Sequence, residues 1–294
     1  MTKFFRRDMT TTQTINQFLA DLSLTDADRQ RVSQRKDTIH QRLSQVFTSG
    51  NDMSLTRTVL MGSAAKGTIT RPMEDIDVLA VFSNAGGACD RYRYNSQDFL
   101  YRIRSIYSDI TTVKVGARGQ AVRVFFKTGG YVDITPVFEY NSDIYYLPAG
   151  DGTWLTTAPL KGVQWYKEKN QDLSYRLTPL VKLLKQWNQS HSHRLNSFHL
   201  ETMAASMFSR LSLSQQENLG KFFEWAPKYL DVSDPGGCSG NLSAYLGWNS
   251  RKDVMSSFET AASRAHQALE AEASKDYAES NRQWRVILGK SFPG

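Results

Sequence analysis

An α+β fold in two parts is predicted, a strand-bearing first half followed by a helical second half, and three observations predict it. β-Branched apolar runs joined by short glycine turns occupy residues 55–138. From residue 177 onward the apolar residues recur at helical spacing instead. Between them, residues 141–161 are rich in Gly, Pro and Thr and read as irregular. The length of 294 residues also exceeds the usual size of one domain, so the expected division is residues 1–160 and residues 161–294.

The elements follow in order. Ile15, Phe18, Leu19 and Leu22 keep i, i+3, i+4, i+7 spacing and predict a first helix. Thr25-Asp26-Ala27-Asp28 has the form of a capped start to a second, which presents Val32, Ile39, Leu43, Val46 and Phe47 on one stripe. Arg31, Arg35 and Arg42 form another stripe. With Asp28 and Asp37 nearby, a solvated outer face is the ordinary role for such charges. A basic groove is the alternative and leaves an RNA or protein activator open. Strands are expected at residues 58–61 and 76–82, then a helix over 96–110 that turns Phe99, Leu100, Ile103 and Ile106 inward. A meander follows at 112–115, 121–127 and 131–138, linked by turns at Arg118-Gly119 and Gly129-Gly130.

In the second half, Leu177, Leu180, Val181 and Leu184 form one helical stripe, and Met203, Ala204, Met207 and Leu211 another. Val254, Phe258, Ala261, Ala265, Ala268 and Leu269 form a third, with Asp234-Pro235-Gly236-Gly237 as a loop between them. There is no internal repeat and no low-complexity tract.

Composition excludes several classes. Hydrophobic residues at 40% and charged residues at 22% rule out disordered, collagen-like and coiled-coil chains. Two cysteines, Cys89 and Cys238, are too few for a disulfide framework or a cysteine-rich zinc site. His191, His193 and His199 lack the further ligands that zinc needs. No run of about 18 apolar residues exists, so no membrane-spanning helix and no membrane partner are expected. No apolar signal-peptide core follows Met1, and the cytoplasm is the expected compartment. The charge balance of 36 Lys+Arg against 29 Asp+Glu gives +7, which suits an anionic partner without saying which.

The chemistry is concentrated in a short constellation. Gly62-Ser63-Ala64-Ala65-Lys66-Gly67-Thr68 follows the first strand, but Gly67-Thr68 lacks the lysine that a P-loop places after its last glycine. What remains is a small-residue turn whose amides can approach a phosphate, with a hydroxyl and Lys66 nearby. Asp75 and Asp77 lie in a strand-like run, so both carboxylates face one side, about 7 Å apart, while Ile76 and Val78 face the other. Asp133 lies in another predicted strand. If the two strands are neighbours, three aspartates converge, and such a cluster needs hard divalent cations to neutralise it. No Gly-x-Ser-x-Gly elbow is present, so a hydrolase triad is unsupported.

Gly62-Ser63, Asp75-x-Asp77 and the distal Asp133 resemble the signature of the DNA polymerase β-like nucleotidyltransferases. Lys182-Leu183-Leu184-Lys185-Gln186-Trp187 and Asn196-Ser197-Phe198-His199-Leu200-Glu201 narrow the resemblance to the cGAS/DncV-like nucleotidyltransferases (CD-NTases) of bacterial CBASS antiphage systems. Ser233-Asp234-Pro235 and the final Trp284…Leu288-Gly289…Phe292-Pro293 are similar too, so the likeness covers nearly the whole chain. It implies a polymerase β-like catalytic lobe, a mixed sheet with flanking helices, and an all-helical C-terminal lobe that completes a nucleotide cleft.

The resemblance also implies roles. Gly62 and Ser63 would hold the donor triphosphate. Asp75 and Asp77 would bind two Mg²⁺ ions, Mn²⁺ being the alternative ion, and Asp133 would bind the one that activates the acceptor hydroxyl. Lys185 and Ser197 would contact phosphates, Phe198 would stack on the donor base, and Asp234 would contact a base or ribose. Family members often carry Tyr at the Phe198 position; Phe keeps the stacking face and loses a hydroxyl. Ala158, in Thr153-Trp154-Leu155-Thr156-Thr157-Ala158-Pro159, cannot supply the amide that some pyrimidine-using relatives place there, which leans toward at least one purine.

The implied activity is synthesis, from NTPs, of a cyclic di- or trinucleotide second messenger that switches on a downstream effector. An RNA-tailing or small-molecule adenylyltransferase on the same fold and a non-catalytic nucleotide-binding module are the alternatives. The chain ends in Phe292-Pro293-Gly294, which is either a short tail or an end suited to conjugation to a partner through Gly294.

Overall fold

The computed structural model describes residues 9–108, 113–114 and 119–294. In chain order the elements are α1 (Thr11–Leu22), α2 (Asp26–Val46), β1 (Leu55–Leu60), α3 (Gly62–Lys66), β2 (Asp75–Phe82), α4 (Ala88–Arg91), α5 (Ser96–Ser105), β3 (Val113–Lys114), β4 (Val122–Phe125) and β5 (Tyr131–Asn141). Then come β6 (Ile144–Pro148), β7 (Trp154–Thr157), α6 (Pro159–Asp172), α7 (Leu177–Ser190), α8 (Ser197–Met207), α9 (Gln215–Trp225), α10 (Trp248–Ala273) and α11 (Tyr277–Leu288). The expected helix end at Ile110, the strand residues Thr112 and Val115, and the Arg118 turn lie outside the described residues.

The chain forms two compact units. One comprises residues 24–164 with 236–239; the other comprises 1–23, 165–235 and 240–294. The first carries the whole sheet, ordered β1-β2-β5-β4-β3, with β6 on β5 and β7 on β6. Among the described residues only β2 and β5 run parallel; the other pairings are antiparallel, so the sheet is mixed, as expected. Ile76, Val78, Ala80 and Phe82 point to the main core with Val132, Ile134 and Phe138, against Ile39 and Leu43 of α2 and Phe99, Leu100 and Ile103 of α5. Leu79, Val81, Val137, Tyr145 and Leu147 make a second cluster on the opposite face. Period-two alternation thus serves two cores at once.

The helical unit is built on one core. The stripes of α7 and α10 are buried as their spacing predicts, except that Leu269 is only partly buried, and Trp187, Phe222, Phe223, Trp284 and Phe292 join them in the core. Leu211 is buried as well, but α8 ends at Met207, so the stripe through Leu211 is not one helix.

Further expectations need correction. Helix α1 buries Ile15, Phe18 and Leu22 in the helical core, with Phe18 edge-on to Phe292 at 5.2 Å, so it does not group with the first half. Residues 141–161 are not irregular: β6 and β7 form a hairpin there, closed at Ala149–Thr153, and Tyr145 and Leu147 are buried. Finally, the α2 arginines are not a solvated face. Arg35 is buried, donates to the Gly129 carbonyl and lies over the Phe126 ring at 4.7 Å. Arg42 donates from Nε and Nη2 to the Ile106 carbonyl at 3.0 and 2.8 Å. Arg31 alone of the three keeps an outward role, paired with Asp28. The stripe pins α2 to the sheet unit and is no open basic groove. Val46, expected on the apolar stripe, is exposed.

Candidate active site

Strand β1 leads directly into α3, and the junction is tight. The Met61 amide donates to the Asp77 carbonyl at 3.0 Å, and Gly62 takes φ +58°. A Cβ on Gly62 would lie 3.1 Å from Cγ of Asp77 and closer still to its Oδ2. Glycine is therefore required twice, by the left-handed backbone and by the carboxylate. The Ser63 carbonyl accepts from the amides of Thr68 and Ile69 at 3.0 and 3.2 Å, which folds the small-residue turn back on itself. Lys66, expected near phosphate, is buried in this unit.

Parallel pairing sets Asp75 opposite Tyr131 and Asp77 opposite Asp133. The three aspartates therefore share one face of the sheet, the face away from the main core. Their carboxylates are not gathered into one cluster: among the described residues no three His, Cys, Asp or Glu side chains are grouped as metal ligands. Both oxygens of Asp133 are taken by Arg123, whose Nε donates at 2.8 Å and Nη2 at 2.7 Å. The guanidinium also lies 3.8 Å from the centroid of the Tyr131 ring. Its pKa is raised, chiefly by the hydrogen bond to Asp133. Burial, then Asp75, raises the pKa of Tyr131.

The donor set still fits a hard divalent cation. Three carboxylates on one face offer only oxygen ligands, and Asp77 and Asp133 are register neighbours. Asp133 would join such a site by giving up Arg123. Sequence reasoning missed Arg123, although the signal was present: the Gly129-Gly130 turn fixes the β4–β5 register and puts Arg123 opposite Asp133.

The remaining expected residues lie in the helical unit. Lys185 on α7 is tied by Nζ to Oε1 of Glu201 on α8 at 2.7 Å, with side-chain exposures of 13% and 3%. Lys182, one turn earlier on α7, donates to Ser23 Oγ at 3.0 Å. Ser197 opens α8, Asn196 is its N-cap residue, and Phe198 is 36% exposed, so Phe198 is not core. Asp234 follows an isolated bridge between Ser233 and Asn241, and its amide donates to the Gly240 carbonyl at 2.8 Å. Within the first turn of α8, His199 is buried, and burial pushes its pKa down. Its Nε2 lies 2.7 Å from the Leu230 carbonyl and its Nδ1 lies 3.1 Å from the Tyr245 hydroxyl.

No described helix is long and apolar enough to cross a membrane. The model of the Second Messenger Oligonucleotide or Dinucleotide Synthetase domain matches residues 9–170. A probable cyclic nucleotide synthase of Bacillus cereus strain VD146 is 25% identical over 268 residues, covering 79% of this chain and 81% of that protein. Among solved structures, CdnC of E. coli MS115-1 in complex with HORMA-deltaN superposes with a TM-score of 0.78 at 20% identity, over 96% of this chain and 98% of that one. DncV of Vibrio cholerae, a cyclic AMP-GMP synthase solved with a linear pppA(3′,5′)pG intermediate, gives a TM-score of 0.77 at 13% identity, over 97% of each chain. At these identities the two structures establish the fold, which is that of the CD-NTases.

Proposed function

The chain belongs to the Second Messenger Oligonucleotide or Dinucleotide Synthetase family, and from that premise we propose how its residues carry out the reaction. It is a nucleotidyltransferase, a cyclic oligonucleotide synthase of the CD-NTase kind that acts in CBASS signalling. Its family is generally metal-dependent. In the proposed reaction a ribose hydroxyl of one nucleotide attacks the α-phosphate of an NTP, pyrophosphate leaves, and a second such step closes the ring. The lack of a side-chain amide at Ala158 supports a purine as at least one of the bases.

Asp75, Asp77 and Asp133 would hold two Mg²⁺ ions, which when bound neutralise the triphosphate and ease deprotonation of the attacking hydroxyl. Gly62 and Ser63 offer backbone amides and a hydroxyl to the donor triphosphate, with no side chain at Gly62 to obstruct it. Asp133 orients the acceptor hydroxyl once Arg123 has released it, and Arg123 then faces the developing charge on phosphate. Ser197 contacts phosphate, Phe198 stacks on the donor base, and Asp234 contacts a base or ribose. Lys185 is proposed to act on phosphate as well, while keeping its bond to Glu201. The single observation that carries the catalytic assignment is the register that sets Asp77 beside Asp133 on one sheet face.

NTPs are the substrates, and the product acts on a downstream effector. A regulatory protein partner is proposed by likeness to CdnC, which was solved with a HORMA protein. The Gly294 carbonyl accepts from Arg285 Nη1 at 2.9 Å, so conjugation there requires that end to come away from α11. Intact-mass analysis after co-expression with neighbouring conjugation genes tests it, and absence of an adduct on Gly294 sinks it.

Incubation with all four labelled NTPs and Mg²⁺, followed by phosphatase, tests the activity. Phosphatase-resistant cyclic products are expected. RNA tails or labelled small acceptors would establish an adenylyltransferase or tailing enzyme instead, and no product would leave a nucleotide-binding module.

A further inference from the structure

Two segments of the helical unit carry the proposed nucleotide contacts, the first turn of α8 with Ser197 and Phe198, and the loop around Asp234. Neither is held by helix or sheet hydrogen bonds alone. Asn196, the N-cap residue of α8, makes no side-chain cap bond. Instead its amide donates to the Tyr245 hydroxyl at 2.8 Å. The same hydroxyl lies 3.1 Å from Nδ1 of His199, whose ring meets the Tyr245 ring edge-on at 5.7 Å.

The proton directions are fixed by chemistry. The Leu230 carbonyl can only accept, so His199 Nε2 carries the hydrogen and Nδ1 of the neutral ring is an acceptor. Tyr245 therefore donates to Nδ1 and accepts from Asn196, which uses its hydroxyl in both directions. Leu230 precedes Asp231, and Asp231 is bound by Arg251 Nη2 at 2.7 Å and by the buried Ser243 hydroxyl two residues before Tyr245. One continuous relay thus runs from the start of α8 to both ends of the Asp234 loop.

We infer that Tyr245 is a positioning residue for the nucleotide: it sets the first turn of α8, and with it Phe198, relative to the Asp234 loop before nucleotide arrives. The inference rests on the proposed roles of Ser197, Phe198 and Asp234. Tyr245 is 45% exposed, so replacing it with Phe removes one hydroxyl and retains the ring packed on His199.

The test measures equilibrium binding of a non-hydrolysable ATP analogue with Mg²⁺ to wild type, Tyr245→Phe, Phe198→Ala and the double variant. Loss of preorganisation is expected to weaken binding by Tyr245→Phe about three- to tenfold, the scale of one or two neutral hydrogen bonds. The double variant is expected to bind no more weakly than Phe198→Ala by more than about twofold, because the two act as one unit. Unchanged affinity in Tyr245→Phe, or losses that simply multiply, would overturn the inference. If Phe198→Ala itself binds normally, the stacking assignment fails, and the positioning role fails with it. Hydrogen exchange supplies a second measurement in the unaltered protein: the Asn196 amide is expected to be protected without nucleotide, and rapid exchange there overturns preorganisation independently of any variant.

Discussion

Each unit places one ion pair among the residues proposed to handle phosphate, and the two pairs differ in how far they are withdrawn from water. Arg123 and Asp133 are 37% and 19% exposed, at an open sheet face. Lys185 and Glu201 are 13% and 3% exposed, between two packed helices. A half-exposed pair is worth little, because solvent screens it and rehydrates both partners when it opens. A buried pair contributes little net when intact and costs much when only one member is removed. The difference teaches that the Arg123–Asp133 pair can open at small cost, whereas Lys185 and Glu201 are held mainly by the fold.

The largest expected effect breaks the sheet side of the comparison. Asp77→Asn should cut synthesis by about a thousandfold or more, the scale of several kcal/mol of charge stabilisation, while the thermal midpoint stays near wild type. Labelled-product formation and calorimetry together check this. Undiminished synthesis would remove Asp77 from the catalytic set. On the helical side, Lys185→Met should destabilise by about 3–5 kcal/mol, because it removes the cation paired with the buried Glu201 carboxylate. Adding Glu201→Met should restore most of that loss in urea titrations; if the double variant is no more stable than the single, the pair is not the cause.

Smaller effects sharpen the contrast. Arg123→Met should cost no more than about 1 kcal/mol of stability and lower the Mg²⁺ concentration for half-maximal thermal stabilisation about fivefold, since no cation competes for Asp133. An unchanged Mg²⁺ dependence would show that Arg123 is no competitor.

The smallest effect is on acid stability. Hydrogen bonds from Arg251, then from Ser243, hold the Asp231 carboxyl far below the usual carboxylate range. A depressed folded-state pKa gives stability that is present above the unfolded value near 4 and is lost as pH falls through the folded value. Asp231→Asn should therefore flatten the stability curve below about pH 4, read by thermal melts across pH. An acid limb as steep as wild type would reject this assignment.

How much was legible follows from which interactions are local. The Asp75-Ile76-Asp77 alternation and the Val32, Ile39 and Leu43 stripe depend on short repeats, and both are in place. The polarity of Arg35 and Arg42 was misleading, because a charged helical stripe ordinarily faces water. Their partners are backbone carbonyls brought up from residues 106 and 129 by tertiary structure. The β6–β7 hairpin was hidden for a similar reason. Gly150, Gly152 and Pro148 read as breakers, but pairing with β5 gives the short strands an edge to extend. Lys185 was recognisable by position, while its tie to Glu201 needed the packing of α7 on α8.

The close approach of Gly62 to Asp77 has a mechanical consequence. Turn and strand share one volume: the carboxylate fills space that a β-carbon would otherwise claim, and the Met61 amide is fastened to the backbone of the same aspartate. The segment proposed to cradle triphosphate is therefore packed directly against Asp77. The closest approach of α3 to the Asp77 carboxylate is set by the absence of a side chain at Gly62, and any larger residue there would push the two apart.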